Sequence, residues 1–154
     1  MEEFRLRRGS AADLDIVVHH RIEMFRDMGS TDDQLRAVQA SAVPYFTRAF
    51  KEETYQAWFV EDASGRVVAG AGVNLLEYHP GPRDPQPRRP CVINVYTEPE
   101  FRQRGLARRV MEAIVEWCRA NGYPAVTLHA SEFGRPLYES LGFQPTNEMR
   151  LRFD

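Results

Sequence analysis

A strand that runs through a glycine turn straight into a helix is the feature that most constrains this chain. Residues 91–97, Cys91-Val92-Ile93-Asn94-Val95-Tyr96-Thr97, are an apolar run of strand character, and residues 106–120 have the pattern of an amphipathic helix. Between them lies Arg102-Gln103-Arg104-Gly105-Leu106-Ala107. The first N–H groups of a helix have no partner inside it and point outward at the positive end of the helix dipole. Gly105 removes the side chain where an anion would approach the backbone. The segment therefore has the makings of a phosphate-binding turn. It is not a dinucleotide fingerprint, because no Gly-x-Gly-x-x-Gly occurs, nor a Walker loop, because no Gly-Lys-Ser or Gly-Lys-Thr occurs.

The rest of the chain reads as one α/β or α+β unit with a mixed sheet. Phe4-Arg5-Leu6-Arg7 alternates like a short strand. Ser10 offers a cap for a helix whose apolar positions are Leu14, Val17, Val18, Ile22 and Phe25, closed by Gly29. Asp32 or Asp33 caps a second helix, which Pro44 interrupts or kinks, and a third helical piece covers residues 45–53. Residues 56–61 and 66–76 form a hairpin around Asp62-Ala63-Ser64-Gly65. Residues 79–90 hold five prolines and one glycine and read as a loop. After the glycine turn and its helix, residues 125–129 read as a strand, 133–141 as a short helix ending at Gly142, and 143–153 as a final strand or hairpin.

Composition narrows the classes. With 154 residues, 43% hydrophobic and 27% charged, the chain is expected to be a single globular domain spanning 1–154. A net charge of −2 gives no general attraction to nucleic acid or acidic membranes, so neither is expected as a partner. Two cysteines, Cys91 and Cys118, indicate neither a disulfide framework nor a zinc site, and no metal is expected. The N-terminus has no signal-peptide pattern and no apolar run is long enough to span a bilayer, which makes the cytoplasm the expected location.

Three stretches together resemble the GCN5-related N-acetyltransferase (GNAT) superfamily. Arg102, Gly105 and Ala107 match its cofactor motif. Ser131, Gly134, Leu137, Tyr138, Gly142 and Phe143 match its second motif, with the expected elements between the two sets. The likeness covers residues 91–143; the earlier half matches in element order alone. The resemblance implies a central mixed sheet with splayed parallel strands, here 91–97 and 125–129, flanked by helices. It implies acetyl-CoA as co-substrate, lying in the splay, and an amine of a small molecule or a protein as acceptor. Direct attack in a ternary complex would follow.

Carried over residue by residue, the diphosphate would rest on the main chain of Arg102, Gln103, Arg104, Gly105, Leu106, Ala107 and Arg108. The pantetheine would pair with Val95 and Thr97, and an N–H near Val95 or Tyr96 would polarise the acetyl carbonyl. Tyr138 matches the family's general acid; the plain alternative is a packed aromatic. Ser131 stands in place of the usual asparagine and, with Gly134, would line the cofactor. Some relatives carry a glutamate base at the position of Cys91, which is therefore unavailable here. Glu77, His79 and His129 are the remaining candidates for a base, and a water chain is the alternative. The acceptor side would draw on the first helices, with Arg21, Phe25 and His79 as binding residues. Arg21 reads either as a grip for a carboxylate or as a solvated surface group, and His19-His20 as a helix surface rather than a catalytic pair. Many relatives dimerise, often through C-terminal strands. A module that binds acyl-CoA without turnover is the competing reading, with Cys91 in its favour.

Overall fold

The computed structural model describes residues 3–154. Five strands form one sheet in sequence order, β1 (Arg5–Arg8), β2 (Tyr55–Glu61), β3 (Val67–Glu77), β4 (Arg88–Thr97) and β5 (Thr127–Leu128). The first four pair antiparallel, whereas β4 and β5 are parallel, with Cys91 opposite Thr127 and Val92 opposite Leu128. A parallel pair needs a crossover, and α3 (Leu106–Ala120) supplies it. The mixed sheet, with β4 and β5 parallel, is the one the resemblance implies.

The sheet separates two cores. On one face α1 (Leu14–Asp27) and α2 (Asp32–Lys51) cover Tyr55, Ala57, Phe59 and Ile93. On the other, α3 packs Leu106, Val110, Met111, Ile114 and Cys118 onto Trp58, Val60, Val68, Val73 and Val92, and α4 (Arg135–Ser140) adds Tyr138. Strand positions alternate between these faces, which is why β2 and β3 are buried nearly throughout.

Helix starts follow local chemistry. A capping box at Ser10 and Asp13 opens a 3-10 turn that leads into α1. A second box, Thr31 with Gln34, opens α2, so the cap is Thr31 and not Asp32 or Asp33. Pro44 does not divide this helix; α2 runs on through residues expected as a separate piece. Pro44 and Ala40 are both exposed, so the Ala40 carbonyl that loses its amide partner faces water.

Three further expectations change. The strands β3 and β4 reach further than read, leaving residues 78–87 as a hairpin tip held by Tyr78 N–H on Pro87 O (2.8 Å) and by Arg89 stacked on Tyr78. The strand expected at 125–129 is only Thr127–Leu128. No strand or hairpin forms over 143–153. Met149, Leu151 and Phe153 alternate as a strand does but are 95%, 78% and 89% exposed. Alternation makes an amphipathic strand only where another backbone pairs with it, and residues 143–153 pair with no strand. No helix among the described residues is long and apolar enough to cross a membrane.

Candidate active site

The site is built where β4 loses its parallel neighbour. Pairing with β5 stops at Val92, while β4 continues to Thr97. Residues 93–97 therefore have no strand beside them on the β5 side. The Glu98 N–H donates to Val68 O at 2.8 Å, so strand alternation turns the Thr97 main-chain groups toward the gap and those of Tyr96 toward its partner Gly70. The Thr97 carbonyl is met there by Arg102 Nε at 2.9 Å.

Within the open segment, β4 bulges. Gly72 lies opposite Ile93 and Gly70 opposite Tyr96, with Asn94 at φ 59 between them. Asparagine tolerates this left-handed conformation better than most residues. The bulge aims Asn94 inward, where it is 3% exposed. Asn94 Nδ2 donates to the Tyr55 hydroxyl at 3.0 Å, and Arg21 donates to Asn94 Oδ1 at 2.9 Å. This chain was not foreseen; the signal for it was an amide set in an otherwise apolar run.

Beyond the strand, a short turn leads into α3. Gln103 (φ 61) and Gly105 (φ 76) both adopt left-handed conformations, and Gly105 caps α3 with no side chain covering the first turn. A Cβ placed on Gly105 would meet nothing within 4 Å, so the space before the helix is open. Leu106 is buried and anchors the turn; Ala107 and Arg108 follow half-buried, with no acidic residue in the first turn. The first helical acceptance runs from Arg109 N–H to Gly105 O, leaving the amides of Leu106, Ala107 and Arg108 unpaired within the helix. Arg102 does not point free: besides Thr97 it holds Asp27 at 2.7 Å and stacks near Tyr96. Arg104 reaches the Glu100 carbonyl, and Arg108 bonds the Ser140 hydroxyl on α4.

On the α4 side, the Ser131 hydroxyl accepts from Gly134 N–H at 3.1 Å, closing the turn that leads into the helix carrying Tyr138. Gly134 is required there, since a Cβ would come within 2.8 Å of the Tyr138 ring. Tyr138 is 8% exposed, borders a cavity of about 620 Å³ shared with β5 and the C-terminal segment, and has no hydrogen-bond partner for its hydroxyl among the described residues. Burial pushes its pKa up, favouring the protonated phenol.

On α1, His20 is buried against Tyr96 and Phe59, and burial, then the neighbouring His19, lowers its pKa to about 3. His19 lies outside and bonds Glu98 at 2.8 Å. The expected surface pair is thus split between core and solvent. Phe25 stacks on Arg21. His79 is exposed at the hairpin tip and stacked on Tyr78. His129 is exposed beside the larger cavity. Cys91 is buried and its thiol is raised by desolvation first of all. Among the described residues no cluster of His, Cys, Asp or Glu is placed to hold a metal ion.

The profile of the Acetyltransferase (GNAT) family matches residues 20–143, the stretch that contains the bulge, the glycine turn and Tyr138. The chain belongs to this family. A GCN5-related N-acetyltransferase from Ralstonia eutropha JMP134 is 31% identical, with 98% of this chain and 99% of that one covered at a TM-score of 0.91. A predicted acetyltransferase from Clostridium acetobutylicum, solved with acetyl-CoA, is 24% identical over 99% and 96% of the two chains, TM-score 0.86. An aminoglycoside N-acetyltransferase in complex with CoA shares the fold at 15% identity over 100% and 96%, TM-score 0.70. No curated protein matches the sequence. Family membership accounts for the splayed parallel strands, which the GNAT fold uses to open its sheet.

Proposed function

We propose that this chain, as one domain over residues 1–154, is an acetyl-CoA-dependent N-acetyltransferase that acts on a primary amine. The observation that supports it most is the pair of main-chain stretches that no strand or cap covers. The edge of β4 is open beyond Val92, and the first turn of α3, which follows it in the chain, carries no side-chain cap. The diphosphate of acetyl-CoA suits the amides of Leu106, Ala107 and Arg108, with Gln103, Arg104 and Gly105 shaping the approach. Arg102 holds the turn to Thr97 and Asp27 rather than presenting a free charge. The pantetheine arm fits as an added strand along Val95 and Thr97, next to Ser131 and Gly134. Of the two amides considered for the acetyl carbonyl, Val95 is favoured, because Tyr96 pairs with Gly70.

The acceptor nitrogen attacks the thioester carbonyl carbon, and the carbon–sulfur bond breaks. Tyr138 gives its phenolic proton to the departing sulfur; burial keeps the phenol protonated, and its hydroxyl proton is committed to no partner among the described residues. The amine's proton passes to water or to one of Glu77, His79 and His129, and Tyr138 regains its own proton from solvent; Cys91, buried and holding its proton, takes no part. A homodimer joined through the exposed Met149, Leu151 and Phe153 completes the proposal.

The test is release of free CoA thiol from acetyl-CoA when an amine panel is offered. Both cysteines of the protein are buried, so a thiol reagent reads the product rather than the enzyme. Tight acetyl-CoA binding with no thiol released across the panel would favour the non-catalytic sensor.

A further inference from the structure

Arg21 lacks what other well-packed arginines have. Arg7 holds Asp13 and Glu61, and Arg89 holds Asp84. Arg21 lies half-buried between the rings of Phe25 (5.0 Å) and Phe46 (5.9 Å), donates to Asn94, and forms no ion pair among the described residues. A guanidinium cannot shed its proton to escape this desolvation. It has five donors and Asn94 takes one.

A cavity of about 480 Å³ opens beside it, between α1, α2 and the sheet. Val38, Phe46 and Ile93 supply apolar wall, while Tyr45 and Asn74 supply polar edge. Asn74 Nδ2 donates to the Tyr45 hydroxyl at 3.0 Å, leaving the phenol proton free to be given away. No acidic residue lines the cavity. Ile93 belongs both to this wall and to the first open position of β4. The cavity therefore adjoins the gap where the thioester would lie.

We propose that this cavity receives the acceptor and selects an amine that carries a carboxylate on an apolar skeleton, with the carboxylate on Arg21 and Tyr45. The proposal rests on the acetyltransferase reading. A carboxylate supplies the missing counter-ion in the planar, two-bond geometry that a guanidinium favours. A polycationic amine meets a positive charge and no acidic wall. A phosphate dianion meets one guanidinium where it needs more donors.

The test uses the full chain and two measurements. Equilibrium binding compares N-acetylated apolar amino acids with their primary amides, without and with CoA present. Thiol release from acetyl-CoA compares the free amino acids with their amides, with spermidine and with aminoalkyl phosphates. The acids are expected to bind roughly tenfold tighter or more than the amides, as loss of a charge-assisted pair implies. Arg21→Gln should erase most of that preference while leaving acetyl-CoA affinity in place. Ser41→Glu, at an exposed position on the cavity rim, should weaken it without touching Arg21. Equal binding of acids and amides, or faster turnover of spermidine or the phosphates, would overturn the proposal. Preference for acids with no thiol release from any amine would keep the carboxylate site and reject the acetyltransferase reading instead.

Discussion

Replacing Gly105 with glutamate separates backbone strain from anion competition. Gly105 sits at φ 76, where a side chain costs about 1–2 kcal/mol, and a Cβ there touches nothing within 4 Å. Stability should therefore fall by little more than that strain, a drop in Tm of roughly 2–8 °C. Binding should fall far more. The new carboxylate can fold onto the amides of Leu106, Ala107 and Arg108, the groups offered to the diphosphate. If two charge-assisted hydrogen bonds at about 1.5–3 kcal/mol each are lost, acetyl-CoA affinity drops by roughly 10²–10⁴. Gly105→Ala carries the same backbone strain without the carboxylate and is the control. Calorimetry with acetyl-CoA reads the affinity, and thermal unfolding reads the strain. Wild-type affinity in Gly105→Glu would remove the phosphate turn from the mechanism. Equal losses in Gly105→Ala and Gly105→Glu would assign the effect to backbone strain alone.

Other outcomes test separate parts of the molecule. Tyr138→Phe should lower kcat by roughly 10²–10⁴ with acetyl-CoA affinity nearly unchanged, read by steady-state kinetics beside calorimetry; equal turnover would make Tyr138 a packing residue. Burial holds His20 at about 3 against an ordinary 6.5, so the unfolded chain takes up this proton first and stability falls as pH drops from 6.5 toward 3. In urea titrations His20→Phe should flatten that slope by up to about 1.4 kcal/mol per pH unit, and an unchanged slope would show that His20 is not its source. The double variant Leu151→Glu with Phe153→Glu should move the protein from dimer to monomer in light scattering, whereas an unchanged mass would detach the C-terminal segment from assembly.

Much of the fold was legible because its signals are local. The stripe Leu106, Val110, Met111, Ile114 and Cys118 on α3, and the cap at Ser10, each lie within one element. The failures share a cause outside the element concerned. Pro44 weakens a helix most where the orphaned carbonyl is buried, and here Ala40 and Pro44 both lie on the exposed face. Met149, Leu151 and Phe153 have the period of a strand, but β5 offers only two paired residues and its neighbour is β4. A strand is a property of two backbones, so a pattern in one cannot guarantee it.

The same division runs through the site. The proposed cofactor half is nearly contiguous, from the open edge of β4 to the first turn of α3, so its residues stand together in the sequence. The proposed acceptor half joins residues far apart: Arg21 meets Asn94 across 73 positions, and Asn74 meets Tyr45 across 29. Arg21 alone on a helix is as consistent with a solvated charge as with a binding group. Only the bulge at Asn94 and the lack of a carboxylate nearby distinguish the two. The sequence did hold a trace of this. Asn74 and Asn94 are amides in otherwise apolar strands, and a buried amide must find partners or cost stability. Each found one tyrosine, and Asn94 also found the arginine. The acceptor pocket proposed here is therefore signalled by polar exceptions to the core pattern rather than by any motif.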